Sequence, residues 1–221
     1  MIKAVLFDLD GTLLDTAPDL VAALNFLREG LGLVAMPVDD LRHFVSRGAR
    51  GLIKAGMPPC DDETLEKWLA SFLVYYEQNS FVHSRPFDGV EALLSKLEDR
   101  NIPWGIVTNK MEYLSFPIVE KAGWASSASA VVCGDTVENN KPHPAPVLAA
   151  CQMIGVAAES TLMVGDDIRD IEAGRRAGSR TAFVLYGYAD SGSHSDMIGD
   201  AALIEAPHEV LDLLASPDPG D

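Results

Sequence analysis

The sequence predicts an α/β fold: a Rossmann-like parallel sheet core with helices on both faces, and a small all-helical cap domain inserted after the first strand. Three observations carry this expectation. From residue 86 onward, short β-branched runs alternate with amphipathic helical stretches, the pattern that right-handed crossovers leave in a parallel sheet. Between Asp15 and Val82 the apolar spacing is helical, with no convincing strand. That sets a helical block of 15–82 apart from a core made of 1–14 and 83–221. Acidic and other polar residues stand at the ends of several strands, on the sheet edge where open α/β folds place their ligands.

The elements follow in order. Residues 2–7 are apolar apart from Lys3 and include β-branched types, as a buried parallel strand requires. The strand runs into Asp8-Leu9-Asp10-Gly11-Thr12. Positions two apart share a face, so Asp8 and Asp10 project together, and Gly11 permits a sharp exit. Thr16-Ala17-Pro18-Asp19 reads as a capping box with Pro in the first turn. Leu20, Leu24, Leu27 and Leu31 then recur at helical spacing, and further helical patterns cover 39–46, 49–55 and 63–76.

The core resumes with a helix over 89–100, its face formed by Val90, Leu93, Leu94 and Leu97. A strand over 104–108, a helix near 112–122 and a strand over 130–133 come next. A helix over 145–155, a strand over 161–164, a helix over 168–177 and a strand over 180–185 complete the alternation. A short strand over 201–204 and a helix over 207–215 are expected to close the fold. Residues 216–221, rich in Pro, Gly and Asp, are expected to be disordered.

Bulk composition narrows the function. A chain of 221 residues, 48% hydrophobic and 23% charged, is ordinary for a globular protein with room for a sizeable core. A net charge of −16 disfavours nucleic acid or an anionic membrane as partner. An anionic substrate must then be met by locally concentrated positive charge. Three cysteines without a Cys-x-x-Cys indicate neither a disulfide framework nor a zinc cluster. The five histidines form no ligand set. With no apolar run of membrane-spanning length and no signal peptide before the first strand, a soluble cytoplasmic protein is expected, monomer or homodimer.

Two carboxylates at the carboxyl end of a parallel strand suit a divalent cation, or a nucleophile beside an acid/base. A calcium loop fits poorly: counted from Asp8, the sixth position is Leu13 and the twelfth Asp19, where Gly and Glu are required. Later strands add suitable company. One ends in Thr108-Asn109, a hydroxyl and an amide able to hydrogen-bond phosphate oxygens. Another ends in Gly165-Asp166-Asp167-Ile168-Arg169-Asp170, an acidic cluster opening a helix. Between them Lys141 lies in Asn140-Lys141-Pro142-His143-Pro144, where the prolines stiffen the approach. Taken singly these would be a turn, a helix cap and a solvated lysine; in this order at strand ends they converge.

In that order the motifs DLDGTLLDT, VTNK, KPHP and MVGDDIRDIEAGRRAG resemble those of the haloacid dehalogenase superfamily, over nearly the whole chain. The helical insertion resembles the small cap of its phosphoglycolate phosphatase-like subgroup. The stretch from GDDIRDIEAGRRAG to Tyr186-Gly187-Tyr188 is also similar to the N-acetylmuramic acid 6-phosphate phosphatases. The resemblance implies that Asp8 attacks phosphorus to form an aspartyl-phosphate, with Asp10 as general acid and then base. It implies that Thr108 and Lys141, with Asn109 alongside, hold the phosphoryl group. It also implies that Mg²⁺ lies among Asp8, Asp10 (through its backbone carbonyl), Asp166 and, through water, Asp170. The expected activity is phosphate release from a small phosphorylated metabolite, of the phosphoglycolate type or a sugar phosphate.

A phosphosugar mutase shares these core residues. A phospho-acceptor receiver domain places its acidic pair and acceptor Asp differently and lacks a helical insertion. Within the cap, Arg47, Gly48 and Arg50 form a glycine-bracketed basic turn that could lay an Arg against a substrate carboxylate or hydroxyl.

Overall fold

The computed structural model describes residues 1–188 and 198–215. Contacts divide the chain into two compact units, Met1–Leu14 with Pro86–Asp221, and Asp15–Arg85. The strands along the chain are β1 (Ala4–Phe7), β2 (Leu14–Asp15), β3 (Arg85–Pro86), β4 (Trp104–Val107), β5 (Ala130–Val132), β6 (Thr161–Gly165), β7 (Arg180–Val184) and β8 (Ala202–Ile204). The α-helices before β7 are α1 (Ala17–Gly30), α2 (Val38–Leu41), α3 (Gly48–Gly56), α4 (Asp62–Asn79), α5 (Val90–Asp99), α6 (Glu112–Lys121), α7 (Ala145–Ile154) and α8 (Ile168–Ala177).

The larger unit is built on a six-stranded sheet in the order β5-β4-β1-β6-β7-β8, every pairing in it parallel. Every residue of β1, β4 and β6 is buried, which explains their near-continuous apolar sequences: helices cover both faces. Successive crossovers lay β4 and β5 on one side of β1, and β6, β7 and β8 on the other. The loops after β1 and β6 therefore part at a switch point, which is where such sheets leave a crevice. Register fixes what meets there. Phe7 lies beside Ile106 of β4 and Val164 of β6, so the residues that follow each strand emerge together. One face of the sheet is closed by α7 and α8, whose Val147, Ala150 and Ala173 join Leu6, Val107, Val132 and Met163 in a single buried cluster.

Within the smaller unit α1 packs against α4 and α3. Leu20, Leu24, Leu52, Ile53, Leu65, Phe72 and Tyr76 are buried there. A Cβ on Gly56 would stand 2.3 Å from Leu24 Cδ2, so a larger residue would force that side chain aside.

Several expectations change in detail. The first strand begins at Ala4 and the fourth stops at Val107, which puts Thr108 just past the strand. The helical stretch near residue 40 is only one turn of α2, followed by a 3₁₀ segment Arg42–Arg47. The closing helix is a 3₁₀ turn Pro207–Glu209 leading into Val210–Ala215. The two-residue strands β2 and β3 pair with each other; they are too short to show any periodicity. Residues 216–221 lie outside the described residues.

The capping box expected at Thr16 does not form. Thr16 has φ −96° and ψ −3° and makes no side-chain cap, whereas an N-cap hydroxyl reaches forward from extended backbone. Asp19 is buried instead. Its carboxylate accepts the backbone N–H groups of Val82 (3.0 Å), His83 (2.8 Å) and Ser84 (3.0 Å), and the Ser84 hydroxyl at 2.6 Å. Those bonds tie 82–84 to the smaller unit, whose limit accordingly falls at Arg85 rather than Val82.

Candidate active site

The site assembles where β1, β4 and β6 end. Asp8 leaves β1 with its N–H still donating to Val164 O at 2.9 Å, so its backbone is held by the ladder while its side chain clears the sheet. Asp166 follows β6, and Asp170 lies one turn into α8, both 1% exposed. One carboxylate oxygen from each of Asp8, Asp166 and Asp170 lies within 4.8 Å of the others. Lys141, from the loop between β5 and α7, reaches into this group. Its Nζ stands 2.9 Å from Asp8 Oδ1 and 2.6 Å from Asp170 Oδ1, and donates to Val107 O at 2.6 Å.

The helix start supports the same acids. Asp170 Oδ2 accepts the Asp167 N–H at 3.1 Å, as the far half of a capping box on α8. Asp167 turns away from the cluster and grips Arg169, with Nε to Oδ1 at 2.8 Å and Nη2 to Oδ2 at 3.0 Å. Burial would raise the Asp167 carboxyl, but these Arg169 contacts hold it below its ordinary value.

Charge inside the cluster is out of balance. Burial, then the charges of Asp8 and Asp170, push the Asp166 carboxyl well above the carboxylate range, against the Tyr188 N–H bond at 2.8 Å. Burial raises Asp170 to about 7, with Lys141 pulling down and Asp8 pushing up. Burial alone would depress Lys141, but facing Asp170 and Asp8 more than reverses this, so it stays firmly charged. Three carboxylates against one ammonium leave net negative charge in a poorly solvated place. Hard oxygen donors converging there fit a small divalent cation such as Mg²⁺, which would discharge the repulsion.

The remaining strand-end residues take distinct places. Thr108 is 2% exposed, and its Oγ accepts the Lys110 N–H at 3.2 Å, a bond that uses the oxygen as acceptor and not its own O–H. Asn109 is committed to Lys141: its Nδ2 donates to Lys141 O at 2.9 Å and its Oδ1 accepts Lys141 N–H at 3.0 Å. The amide thus clamps the lysine loop through one of its two N–H groups and its oxygen. Asp10 does not belong to the three-acid group. Its Oδ1 is 2.6 Å from Lys110 Nζ, so its side chain is engaged away from the three clustered acids, in keeping with an expected metal role through its backbone carbonyl alone. Lys110 lies within the VTNK motif, yet sequence reasoning passed over it.

The model of the haloacid dehalogenase-like hydrolases matches residues 5–184. The chain belongs to this family. It is 40% identical over 214 residues to the N-acetylmuramic acid 6-phosphate phosphatase of Pseudomonas aeruginosa, covering 96% of this chain and 95% of that protein. It is 42% identical over 219 residues to the phosphoglycolate phosphatase of Xylella fastidiosa strain Temecula1, covering 98% and 93%. The crystal structure of a predicted phosphoglycolate phosphatase from Haemophilus somnus superposes with a TM-score of 0.81 at 25% identity, over 96% of this chain and 97% of that one.

Backbone walls in the acids of this hydrolase. Gly11 has φ +88°, and a Cβ there would stand 2.3 Å from Asp166 Oδ2. A Cβ on Gly165 would stand 2.2 Å from Asp170 Oδ2, and one on Gly187 2.2 Å from Asp166 Cβ. The Tyr186-Gly187-Tyr188 turn also braces the exit from β1, with Tyr186 OH donating to Thr12 O at 3.2 Å and Tyr188 OH to Leu14 O at 3.3 Å.

Within the smaller unit, Gly48 ends the 3₁₀ segment at φ +70° and begins α3. The Arg47 guanidinium lies 4.9 Å from the centroid of the Phe44 ring. Arg50 pairs with Glu66 at 2.5 Å, both about half exposed. Of the three residues singled out in this turn, Arg50 is thus engaged in an ion pair of its own unit.

Proposed function

We propose that this hydrolase is a Mg²⁺-dependent phosphomonoesterase that works through an aspartyl-phosphate on Asp8, with a small metabolite of the phosphoglycolate type as substrate. The observation that carries the proposal is the buried group Asp8, Asp166 and Asp170 bridged by Lys141 at 2.9 and 2.6 Å. Those three acids would hold the cation. When bound, Mg²⁺ would supply the positive charge that lets a carboxylate approach a phosphate dianion.

The chain's own residues then divide the work. Asp8, fixed at the end of β1, presents a carboxylate oxygen to phosphorus. As the Asp8 oxygen–phosphorus bond forms, the bond from phosphorus to the alcohol oxygen breaks, and that oxygen takes a proton from Asp10. In the second half, a water oxygen attacks phosphorus while Asp10 takes its proton, the Asp8–phosphorus bond breaks, and inorganic phosphate leaves. Lys141 and the Thr108 hydroxyl hold phosphoryl oxygens through both halves, where positioning and charge neutralisation supply most of the rate. Asn109 keeps Lys141 in register.

A second substrate, N-acetylmuramic acid 6-phosphate, is favoured by relatives of that name at 40% and 39% identity. The deciding experiment measures phosphate release from phosphoglycolate, N-acetylmuramic acid 6-phosphate and simple sugar phosphates, with Mg²⁺ and with excess chelator. Release that needs Mg²⁺ and is fastest on one of the first two esters is expected. No release from any ester, isomerisation without release, or full activity in chelator would overturn the proposal.

A further inference from the structure

We infer that Lys110 is a positioning residue for proton transfer, holding the Asp10 carboxyl where the leaving alcohol takes its proton. The inference rests on the phosphatase reading above and extends it to a residue with no assigned part in that chemistry. The ion pair is tight, at 2.6 Å, and its side chains are 8% and 21% exposed. It joins residues 100 positions apart in sequence, one after β1 and one after β4.

The lysine is delivered from a rigid base. Its N–H donates to Thr108 Oγ at 3.2 Å, and its carbonyl accepts the Gly134 N–H at 2.8 Å and the Ser115 hydroxyl at 3.2 Å. A Cβ on Gly134 would stand 2.4 Å from Asn109 O, so the loop after β5 presses directly on the 109–110 peptide. Such anchoring matters because a lysine stem is flexible, and holding it in one place costs about 2 kcal/mol of rotamer freedom. An unanchored lysine would hold its partner only loosely.

The two ammonium groups of the site are also divided. Lys141 faces Asp8 and Asp170, while Lys110 faces Asp10. The first serves the acids that surround phosphorus. The second holds Asp10, which is not among the three clustered acids. Transfer requires the acid within about 3 Å of the accepting oxygen and correctly aimed, and a carboxyl with a tethered oxygen samples few orientations.

The leaving group tests this. An alkyl ester needs a proton as the alcohol departs, whereas p-nitrophenolate leaves without one, and kcat/KM reports the steps through that departure. Lys110→Met should lower kcat/KM on the alkyl substrate (phosphoglycolate, or N-acetylmuramic acid 6-phosphate if that is the ester turned over) by about 100-fold. On p-nitrophenyl phosphate the loss should be less than about 10-fold by the same reasoning. Lys110→Arg should recover part of the alkyl activity. In an Asp10→Asn background, Lys110→Met should add no further loss, because its effect runs through Asp10. Equal losses on both esters, unchanged kinetics, or a full additional loss in the Asp10→Asn background would overturn the inference. Failure of the underlying phosphatase reading would show separately, as activity surviving in Asp8→Asn.

Discussion

Replacing Lys141 by Met removes one charge from a side chain that is 2% exposed and touches Asp8, Asp170 and the Val107 carbonyl at 2.9, 2.6 and 2.6 Å. Met matches the stem in length, so the chief loss is electrostatic. Removing one partner from a buried ion pair costs about 3–5 kcal/mol, and a protein of this size loses roughly 2–4 °C of Tm per kcal/mol, so a drop of roughly 6–20 °C is expected. The loss must also depend on pH. Burial already raises the Asp170 carboxyl to about 7, above an unfolded value of about 3.9. Between those values the folded state keeps a proton that the unfolded chain releases. The stability tied to that proton is complete at low pH and drains away as pH rises toward and past 7. Without Lys141 the folded value climbs further, each unit adding about 1.4 kcal/mol to the cost of ionisation. The variant should therefore be more damaged at pH 8 than at pH 5. Thermal and urea unfolding of both proteins at the two pH values, in chelator so that no added cation stands in for the lysine, would measure this. A loss equal at pH 5 and pH 8, or one below about 1 kcal/mol, would refute the charge balance drawn for the site.

Asp8→Asn should leave far-ultraviolet circular dichroism unchanged yet abolish phosphate release, because the amide is isosteric but not nucleophilic; near-normal turnover would remove Asp8 from its role. Ca²⁺, which tolerates more ligands and looser geometry than Mg²⁺, should inhibit when added to the Mg²⁺-loaded enzyme; full turnover with Ca²⁺ alone would contradict the metal assignment. Arg47→Ala should reduce turnover of the preferred metabolite far more than that of p-nitrophenyl phosphate, which offers neither carboxylate nor sugar to recognise; equal losses would confine Arg47 to its stacking on Phe44. Asp19→Ala strips acceptors from three backbone N–H groups and a hydroxyl. At about 1–3 kcal/mol for each group left unsatisfied, it should cost at least about 4 kcal/mol in urea unfolding, and a loss under about 1 kcal/mol would mean that water replaces the carboxylate.

What the sequence made legible followed from local rules. The buried strands announced themselves through unbroken apolar runs, and Asp8, Thr108, Lys141 and Asp166 stood out as polar breaks at or between strand ends. Strand order then brought them together, because β1 lies between β4 and β6. The contacts that local rules did not reveal involve partners far away in the chain. Asp19 three positions after Thr16 has the spacing of a cap, but its partners are 63 to 65 residues distant. Asn109 sits where an amide could meet phosphate, yet its partner is 32 residues away. Lys110, beside Asn109, carries no local signal of its own, since a lysine after a strand usually faces solvent. Only the approach of the loop after β4 to the one after β1 shows it on Asp10. The capping box that does form, between Asp167 and Asp170, uses one of the site's own acids, so a local signal and a functional one coincide there.

The glycines that wall in Asp166 and Asp170 bear on how substitution surveys of such a site would look. Gly11, Gly165 and Gly187 bring no functional group, yet at each a single methyl would land within 2.3 Å of a carboxylate side chain. A library scored for activity would therefore flag these three positions as strongly as the acids themselves. A map of intolerant positions would then outline a footprint larger than the reacting groups, its margin drawn by bare main chain. Telling margin from centre needs a second measurement, such as abundance or melting of each variant, because crowding a carboxylate disturbs folding while swapping Asp8 for its amide should not.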